Sequence, residues 1–225
     1  MNILNQIKDL PIDVQVVGCG ENIIPFIHKI FENEPTHYKC LAKIMNDQKT
    51  LSSIILDCKY TNPRIYAPEY FEEWIKDYIN TDTTYMVLNL ALCNVYKKYG
   101  HSNALIINKI LKSVERFEPR GSQKHIYYDD LRIEKSIKEF VKTYFVNFTF
   151  LSPYIFIGNN GPQTHTKLNL NLGRERGLCV NYTILYIYLR CKENLNPTES
   201  ILFMNTHFLD TNILKFTNFV NLYLL

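Results

Sequence analysis

The chain contains 225 residues, of which 46% are hydrophobic and 13% aromatic, so it can bury a substantial core as one domain or as one domain with an extension. A net charge of +3 with scattered basic residues argues against a nucleic-acid partner, and no apolar run approaches the roughly 18 residues of a membrane span. The six cysteines lack CxxC spacing, and the first residues lack a signal-peptide pattern. We expect a soluble cytoplasmic protein without a metal, a cofactor or a membrane partner.

Residues 1–60 are predicted to form helices, because apolar residues recur there at helical spacing. Two such groups are Ile23, Ile24, Ile27, Ile30 and Phe31, and Leu51, Ile54, Ile55 and Cys58. A further helix is predicted over about residues 69–80, with Trp74 packed onto a sheet rather than contacting a substrate. The sequence thus predicts a helical N-terminal subdomain over residues 1–80, followed by a core over residues 81–225.

Three strands are predicted in the middle of the chain. A nearly continuous apolar run at residues 85–93 is typical of a buried central strand. Two shorter apolar runs, at residues 103–107 and 114–117, flank a polar-leaning connection and predict a β-hairpin. His101 opens the first strand of this hairpin, and Glu118 closes the second.

The hairpin is expected to bring His101 and Glu118 together. If these residues pair directly, the centre of the hairpin falls between residues 109 and 110. Residues opposite each other in an antiparallel ladder point to the same face, with Cβ atoms about 5 Å apart. The two side chains should therefore be able to touch, and Glu115 is the neighbour to consider if Glu118 lies on the other face.

Downstream of the hairpin, the sequence predicts a helix, two strands, a long loop and a final helical segment. These are a helix capped by Asp129 or Asp130 and ending near residue 144, strands at 148–151 and 154–157, a loop at 158–176, and a segment capped by Thr198. A loop of that length often carries function rather than serving only as a connection.

Residues 177–190 are apolar or aromatic on nearly every side, and we predict a buried central helix there, although their β-branched and tyrosine content also fits a strand. Cys179 lies in its first turn, where unpaired backbone N–H groups and the helix dipole favour a thiolate. A carboxylate bonded to one imidazole nitrogen leaves the other nitrogen free to deprotonate a thiol. His101, Glu118 and Cys179 therefore form a candidate base, orienting group and nucleophile.

Other residues enter as alternatives or neighbours of this candidate site. Cys19 is a rival nucleophile, since a helical pattern follows it, but no partner motif accompanies it. Several basic residues are expected to lie on a solvated rim of the site. They are Lys97, Lys98, Arg116, Arg120, Arg174 and Arg176.

The motifs G-H-S-N-A-L-I-I-N-K and V-E-R-F-E-P, followed about sixty residues later by G-L-C-V-N-Y-T, resemble those of the His-Asp/Glu-Cys peptidases. That clan contains the SUMO-type ubiquitin-like-protein proteases, the adenovirus-type protease and related bacterial acyltransferases. The similarity spans roughly residues 85–191 and is especially close to versions encoded by large DNA viruses. The chain departs from the family at Ser102, where tryptophan is usual, and at residues 172–174, where the oxyanion glutamine usually lies.

The resemblance implies a papain-like α+β fold with a small, mostly antiparallel sheet packed on the Cys179 helix. It implies a cysteine peptidase or deubiquitinase-like isopeptidase, in which Cys179 attacks a carbonyl, His101 transfers the proton and Glu118 orients His101. Gln163 is expected to bind the oxyanion, because it is the only glutamine beyond Gln123.

Substrates with small C-terminal residues, such as ubiquitin-like proteins or viral precursors, are implied by the same resemblance, as is a location in the host cytoplasm or the virion. Two alternatives stay open. One is a non-catalytic descendant that acts as a binding or virion protein, and the other is an acyltransferase with the same triad.

Overall fold

The computed structural model describes residues 3–11, 29, 53–58, 63–68, 70–94, 99–122, 128–166 and 178–224. Within these residues the chain forms one six-stranded sheet and eight helices. The expected α+β class, a sheet combined with helices, is confirmed.

The sheet is mixed, and the strands of the predicted hairpin lie near its centre. In chain order the strands are β1 (Ser53–Asp57), β2 (Arg64–Tyr66), β3 (Tyr85–Asn94), β4 (Tyr99–Asn108), β5 (Ser113–Phe117) and β6 (Thr149–Leu151). Their order across the sheet is β2-β1-β3-β4-β5-β6. The β1–β3 and β5–β6 contacts are parallel, and the other three contacts are antiparallel. The predicted buried strand β3 and both hairpin strands are confirmed.

Several helices pack against the sheet, and the last three form most of the C-terminal part of the described chain. They are α1 (Ile3–Ile7), α2 (Phe71–Asn80), α3 (Asp130–Tyr144), α4 (Pro153–Phe156), α5 (Pro162–His165), α6 (Leu178–Cys191), α7 (Pro197–His207) and α8 (Thr211–Leu224). Helix α3 begins as predicted, because the Asp129 carboxylate accepts hydrogen bonds from the backbone N–H groups of Leu131 and Arg132. In the part of the chain that the structure describes, no helix is both long and apolar enough to cross a membrane.

Helix α6 is the central helix, as predicted, and all 14 of its residues are buried. It packs against β4 and also contacts α5, α7 and α8. Tyr186 of α6 stacks on Phe117 of β5, with ring centroids 4.1 Å apart and planes 7° from parallel. Near the start of the helix, the Thr183 hydroxyl donates to the Ser102 carbonyl at 3.2 Å. This bond fixes the first turns of α6 beside the beginning of β4.

Strand β5 is buried on both faces, so its alternating side chains enter two different environments. Glu115 and Phe117 face α6, where Glu115 accepts hydrogen bonds from Arg190. Arg116 points to the opposite face and contacts Asp130 at the start of α3. The alternation places Glu118, just beyond the strand, on the same side as Arg116.

Residues 53–57 form strand β1 rather than the predicted helix. Ile54 and Leu56 are fully buried while Ile55 between them is half-buried, which is the alternation of a strand. The apolar positions of so short a segment fit both periods, and pairing with β3 decides in favour of the strand.

Residues 154–157 were predicted to form a strand, and this is wrong, because the chain forms the short helix α4 there. Ser152 caps the helix by accepting from the Tyr154 backbone N–H, and Pro153 occupies the first helical position. Thr198 is not a cap either. The cap of α7 is Asn196, whose side chain forms a reciprocal capping box with Glu199.

The predicted division of the chain at residue 80 remains a prediction, because most of residues 12–52 lie outside the described ranges. The described residues upstream of that boundary are nevertheless tied to the sheet. Strand β1 pairs in parallel with β3, and β2 pairs with β1.

Candidate active site

The β4–β5 hairpin has a register two residues away from the predicted one. Ala104 lies opposite Phe117, so continuing the ladder by one step places Glu118 opposite Asn103 rather than opposite His101. Because side chains on a strand alternate with a period of two, an even shift keeps His101 and Glu118 on the same face. Direct pairing is therefore wrong, but the predicted contact survives as a diagonal one.

The turn of the hairpin accounts for this shift. The ladder closes with Asn108 opposite Ser113, which leaves residues 109–112 in the turn. The Asn108 side chain accepts a hydrogen bond from the Leu111 backbone N–H at 2.9 Å, and Lys112 adopts a left-handed conformation with φ of 47°. The centre of the turn therefore lies one residue later than the sequence predicts.

His101 and Glu118 form a buried hydrogen-bonded pair. Nε2 of His101 lies 2.6 Å from Oε1 of Glu118, and the two residues are only 4% and 0% exposed. The same carboxylate oxygen accepts from the backbone N–H of Arg120 at 3.0 Å. Tyr128 covers the imidazole, with ring centroids 6.2 Å apart and planes 22° from parallel. These contacts hold the imidazole in one orientation.

The two partners shift each other's pKa in the directions expected of a charged pair. Burial lowers the pKa of His101, but the charge of Glu118 and then that of Cys179 outweigh this effect and raise it to about 9. Burial raises the pKa of Glu118, yet His101, Arg116 and the Arg120 backbone N–H together lower it to about 2. The pair is therefore an imidazolium and a carboxylate at neutral pH.

Cys179 lies at the second position of α6 and is 8% exposed. Its thiol is hydrogen-bonded to His101 and to the backbone N–H of Ser102. Burial alone raises the pKa of this thiol, but His101, Ser102 and Arg120 outweigh it, and the pKa lies below its usual range. Since Nε2 of His101 is bonded to Glu118, Nδ1 is the ring nitrogen left for the thiol.

The other described cysteines have the opposite electrostatic environment. Burial raises the pKa of Cys58 to about 12, and it also raises the pKa of Cys93 and Cys191. Cys179 is thus the only one of the four described thiols whose pKa is lowered. Cys19, the rival nucleophile, lies outside the described residues.

Gln163 lies in the short helix α5, which packs against α6. It is 1% exposed, and its backbone N–H donates to the Pro119 carbonyl at 2.9 Å. Two residues earlier, the backbone N–H of Gly161 donates to the Arg120 carbonyl at 2.8 Å. The loop therefore folds back onto the residues that follow Glu118, and Gln163 is buried there. Its role as an oxyanion donor remains a prediction.

Two glycines permit this close approach. A Cβ atom added to Gly161 would overlap the Gly121 nitrogen and the Pro119 oxygen, and one added to Gly121 would overlap the backbone of Asn159 and Gly161. Gly121 also has a φ of 80°, a conformation that favours glycine. The backbones touch directly, so the loop and the segment after Glu118 form one unit.

A second layer of buried polar residues surrounds Glu118 on the side away from His101. The Asn103 amide donates to Oε2 of Glu118 at 3.0 Å, and Arg116 Nη2 lies 3.2 Å from the same oxygen. Arg116 Nε donates to the Asn103 side-chain oxygen at 2.9 Å, and Nη2 also donates to Asp130 at 2.8 Å. All four of these residues are buried.

The sequence did not single out Asn103 or Asp130 as site residues. It did place Arg116 near the site, but the expected solvated rim is wrong for this residue, which is fully buried. The available signal was the alternation of strand residues, since Asn103 follows His101 by two positions and Arg116 precedes Glu118 by two. Among the described residues, no group of His, Cys, Asp and Glu side chains could hold a metal ion.

Comparisons with known proteins give little guidance to this site. The sequence matches no protein-family profile, and no solved structure matches the chain. It is 28% identical over 147 residues to a protein of Acanthamoeba polyphaga mimivirus that is named as an ankyrin repeat protein. The match covers 60% of this chain but only 19% of the viral protein, so the chain spans about a fifth of that relative. Ankyrin repeats are units of about 33 residues with two helices each, whereas the described residues here include a six-stranded sheet.

Proposed function

We propose that the protein is a cysteine peptidase or isopeptidase with Cys179 as nucleophile, His101 as base and Glu118 as the group that orients the base. The observation that carries this proposal is that one buried imidazole is hydrogen-bonded to both a carboxylate and a thiol at a helix start. This arrangement raises the pKa of the imidazole and lowers that of the thiol, which together favour a thiolate–imidazolium pair.

The reaction begins with attack of the Cys179 thiolate on the carbonyl carbon of the scissile amide. The developing oxyanion accepts hydrogen bonds from backbone N–H groups at the start of α6 and from the Gln163 side chain. Nδ1 of His101 gives its proton to the departing amine, which leaves a thioester on Cys179. The neutral imidazole then takes a proton from water, and the hydroxide releases the acid product and regenerates the thiolate.

The resemblance to the SUMO-type and adenovirus-type proteases supports two further proposals, a papain-like fold and a class of substrate. A papain-like arrangement is supported by the packing of the nucleophile helix α6 against the strand that carries His101. The substrates we propose are ubiquitin-like proteins or viral precursors with small residues before the scissile bond. The similarity to a mimivirus protein agrees with a viral setting in the host cytoplasm or virion.

The test uses ubiquitin and ubiquitin-like probes that carry a C-terminal electrophile, followed by intact mass and peptide mapping. We expect one adduct, located on Cys179, that is lost in Cys179→Ala and retained in Cys191→Ala. Cys191 is the matched control because it is buried in the same helix but has a raised thiol pKa. An adduct on another cysteine, or labelling that persists in Cys179→Ala, would contradict the proposal.

A non-catalytic descendant is the second candidate, and two departures from the family favour it: the missing tryptophan and the displaced oxyanion glutamine. Ser102 stands where the family has tryptophan, and in the structure it is bonded to Asn89 through its hydroxyl and to Thr183 through its carbonyl. Ser102 therefore links the sheet to α6. No adduct with any of the probes, combined with no cleavage of precursor peptides, would favour this candidate.

A further inference from the structure

We propose that Asn103, Arg116 and Asp130 are positioning residues that fix Glu118 and set the charge it presents to His101. This inference rests on the proposed function, because it concerns how the same site is maintained. Asn103 and Arg116 bond directly to Glu118, and Asp130 bonds to Arg116, so each of the three acts on the site through Glu118. We call this group the Glu118 support network.

The geometry of the network leaves the Glu118 carboxylate a single orientation. One oxygen, Oε1, is occupied by His101 and by the backbone N–H of Arg120, at 2.6 and 3.0 Å. The other oxygen, Oε2, accepts from Asn103 at 3.0 Å and Arg116 at 3.2 Å. Rotation of the carboxylate would break bonds on both sides at once, so the oxygen that faces His101 is fixed.

Asn103 and Asp130 in turn fix the guanidinium of Arg116. Nε of Arg116 donates to Asn103, and Nη2 is shared between Asp130 and Glu118. The fork geometry of arginine suits this task, because its donors lie in one plane and the group stays charged. Lysine would supply the charge but could not make the same set of directed bonds.

The network also sets the charge around Glu118. A thiolate, an imidazolium and the Glu118 carboxylate together carry one negative charge, which is costly in a buried site. Arg116 places one positive charge beside Glu118, and Asp130, paired with the same guanidinium, carries one negative charge. A change at Arg116 and a change at Asp130 should therefore shift the thiolate in opposite directions.

Other titratable groups also face this cluster. The Tyr128 hydroxyl lies 3.4 Å from Oε2 of Glu118, and Arg120 lowers the pKa of the Cys179 thiol. Tyr154 is hydrogen-bonded to Asp130 and has a pKa raised to about 12, so it is neutral throughout the working range. None of these side chains is itself replaced in the variants below.

A second buried ion pair supplies a contrast within the same strand. Glu115 accepts two bonds from Arg190, at 2.6 and 2.8 Å, and one from Tyr186 at 3.1 Å. This cluster lies on the α6 face of β5, whereas Arg116 and Glu118 lie on the opposite face. If buried ion pairs in β5 served only stability, changes in the two clusters would have the same effect on the thiol.

The experiment measures the pH dependence of Cys179 alkylation in the full chain by intact mass. In Asp130→Asn, we expect the acid limb of the profile to move to lower pH by about half a unit or more, because the negative charge that pairs with Arg116 is lost. In Arg116→Gln, we expect it to move to higher pH by a similar amount. In Glu115→Gln, we expect it to stay where it is in the wild-type protein.

Thermal unfolding is recorded for every variant, and Asn103→Leu is the second line of evidence if Arg116→Gln does not fold. Asn103→Leu removes the donor to Glu118 without changing the net charge, so we expect it to weaken or shift the downfield NMR signal of the His101 Nε2 proton. The proposal would be overturned if the alkylation profiles of the variants match the wild type while their melting temperatures fall. It would also be overturned if the profiles of Asp130→Asn and Arg116→Gln shift in the same direction.

Alkylation needs no substrate, and this separates the network from the proposed peptidase activity. Opposite shifts in a protein that neither reacts with the probes nor cleaves peptides would support the network and count against the peptidase. A reactive, probe-labelled Cys179 with an unchanged profile in Asp130→Asn would support the peptidase and count against the network.

Discussion

Replacing Glu118 with glutamine removes one charge without changing the size of the side chain. In the native protein Oε1 accepts from His101 and the Arg120 backbone, and Oε2 accepts from Asn103 and Arg116. A glutamine has only one acceptor oxygen, and its NH₂ group is a donor. Whichever way the amide points, its NH₂ group meets a fixed donor, either the Arg120 backbone N–H or the Arg116 guanidinium.

The less costly orientation keeps the amide oxygen toward Arg116 and turns the NH₂ group toward His101. Nε2 of His101 must then accept a hydrogen bond, so the ring proton lies on Nδ1 and the imidazole cannot take the thiol proton. We expect turnover to fall by about 10³–10⁴-fold, as expected for a base held in the wrong tautomer. The loss of a buried charge from its partners should also destabilise the fold by about 3 kcal/mol.

The assay is the rate of Cys179 alkylation at pH 7, which should slow about tenfold for each unit by which the thiol pKa rises above 7. Glu115→Gln is the matched control, since Glu115 lies on the same strand, is 1% exposed and is paired with Arg190. It should lose comparable stability with Cys179 reactivity unchanged. Equal slowing in both variants, or none in Glu118→Gln, would refute the reasoning.

Three further predictions follow from the loop and from the charged pair. Gln163→Ala should cut turnover by about 10²-fold and leave alkylation of Cys179 nearly unchanged, as expected of an oxyanion donor rather than a base. Gly161→Ala should destabilise the protein by about 2 kcal/mol, measured by denaturant unfolding, because the added Cβ meets backbone atoms that must move apart. The pKa of His101 is raised in the folded state, so its contribution to stability should be complete below pH 6.5 and lost as the pH rises to about 9. The pKa of Glu118 is lowered, so its contribution should be present above pH 4.5 and lost as the pH falls to about 2.

A control variant or a contradicting outcome checks these predictions. For Gly161→Ala the control is Gly100→Ala, because a Cβ atom at Gly100 meets nothing within 4 Å. For the pH dependence, the difference in unfolding free energy between the wild type and His101→Gln should shrink between pH 6.5 and 9. A constant difference across that range would contradict the assigned shift. For Gln163→Ala, turnover equal to the wild type would transfer the oxyanion role to backbone groups alone or to Asn169 or Asn171, two loop residues that lie outside the described ranges.

The elements that fix the site were predictable where local chemistry decides them. The burial of residues 178–191 follows from their apolar composition. The start of α3 follows from one side-chain acceptor, the Asp129 carboxylate. The contact of His101 with Glu118 was predictable although the register of the hairpin was not. A register shift of two residues leaves both side chains on the same face of the sheet. The turn that sets the register depends on the Asn108 side chain, which the pattern of apolar residues does not reveal.

The support around Glu118 was not predictable, because its members come from three separate segments. Asn103 lies on β4, Arg116 on β5 and Asp130 at the start of α3, and only the tertiary fold brings them together. Asp129 and Asp130 both fit the helix-cap pattern, and the structure gives that role to Asp129. The docking of the Gln163 loop likewise depends on direct contact between two backbones at Gly121 and Gly161.

The central claim is that Cys179 is a thiolate held by His101, and competitive labelling of all six thiols in the native protein tests it most directly. The protein is treated with limiting iodoacetamide near pH 6.5, and each cysteine is quantified by peptide mapping against the fully unfolded protein. We predict that Cys179 is modified first, because its pKa is lowered whereas the pKa values of Cys58, Cys93 and Cys191 are raised. Preferential modification of Cys19 or of any other thiol would contradict the claim.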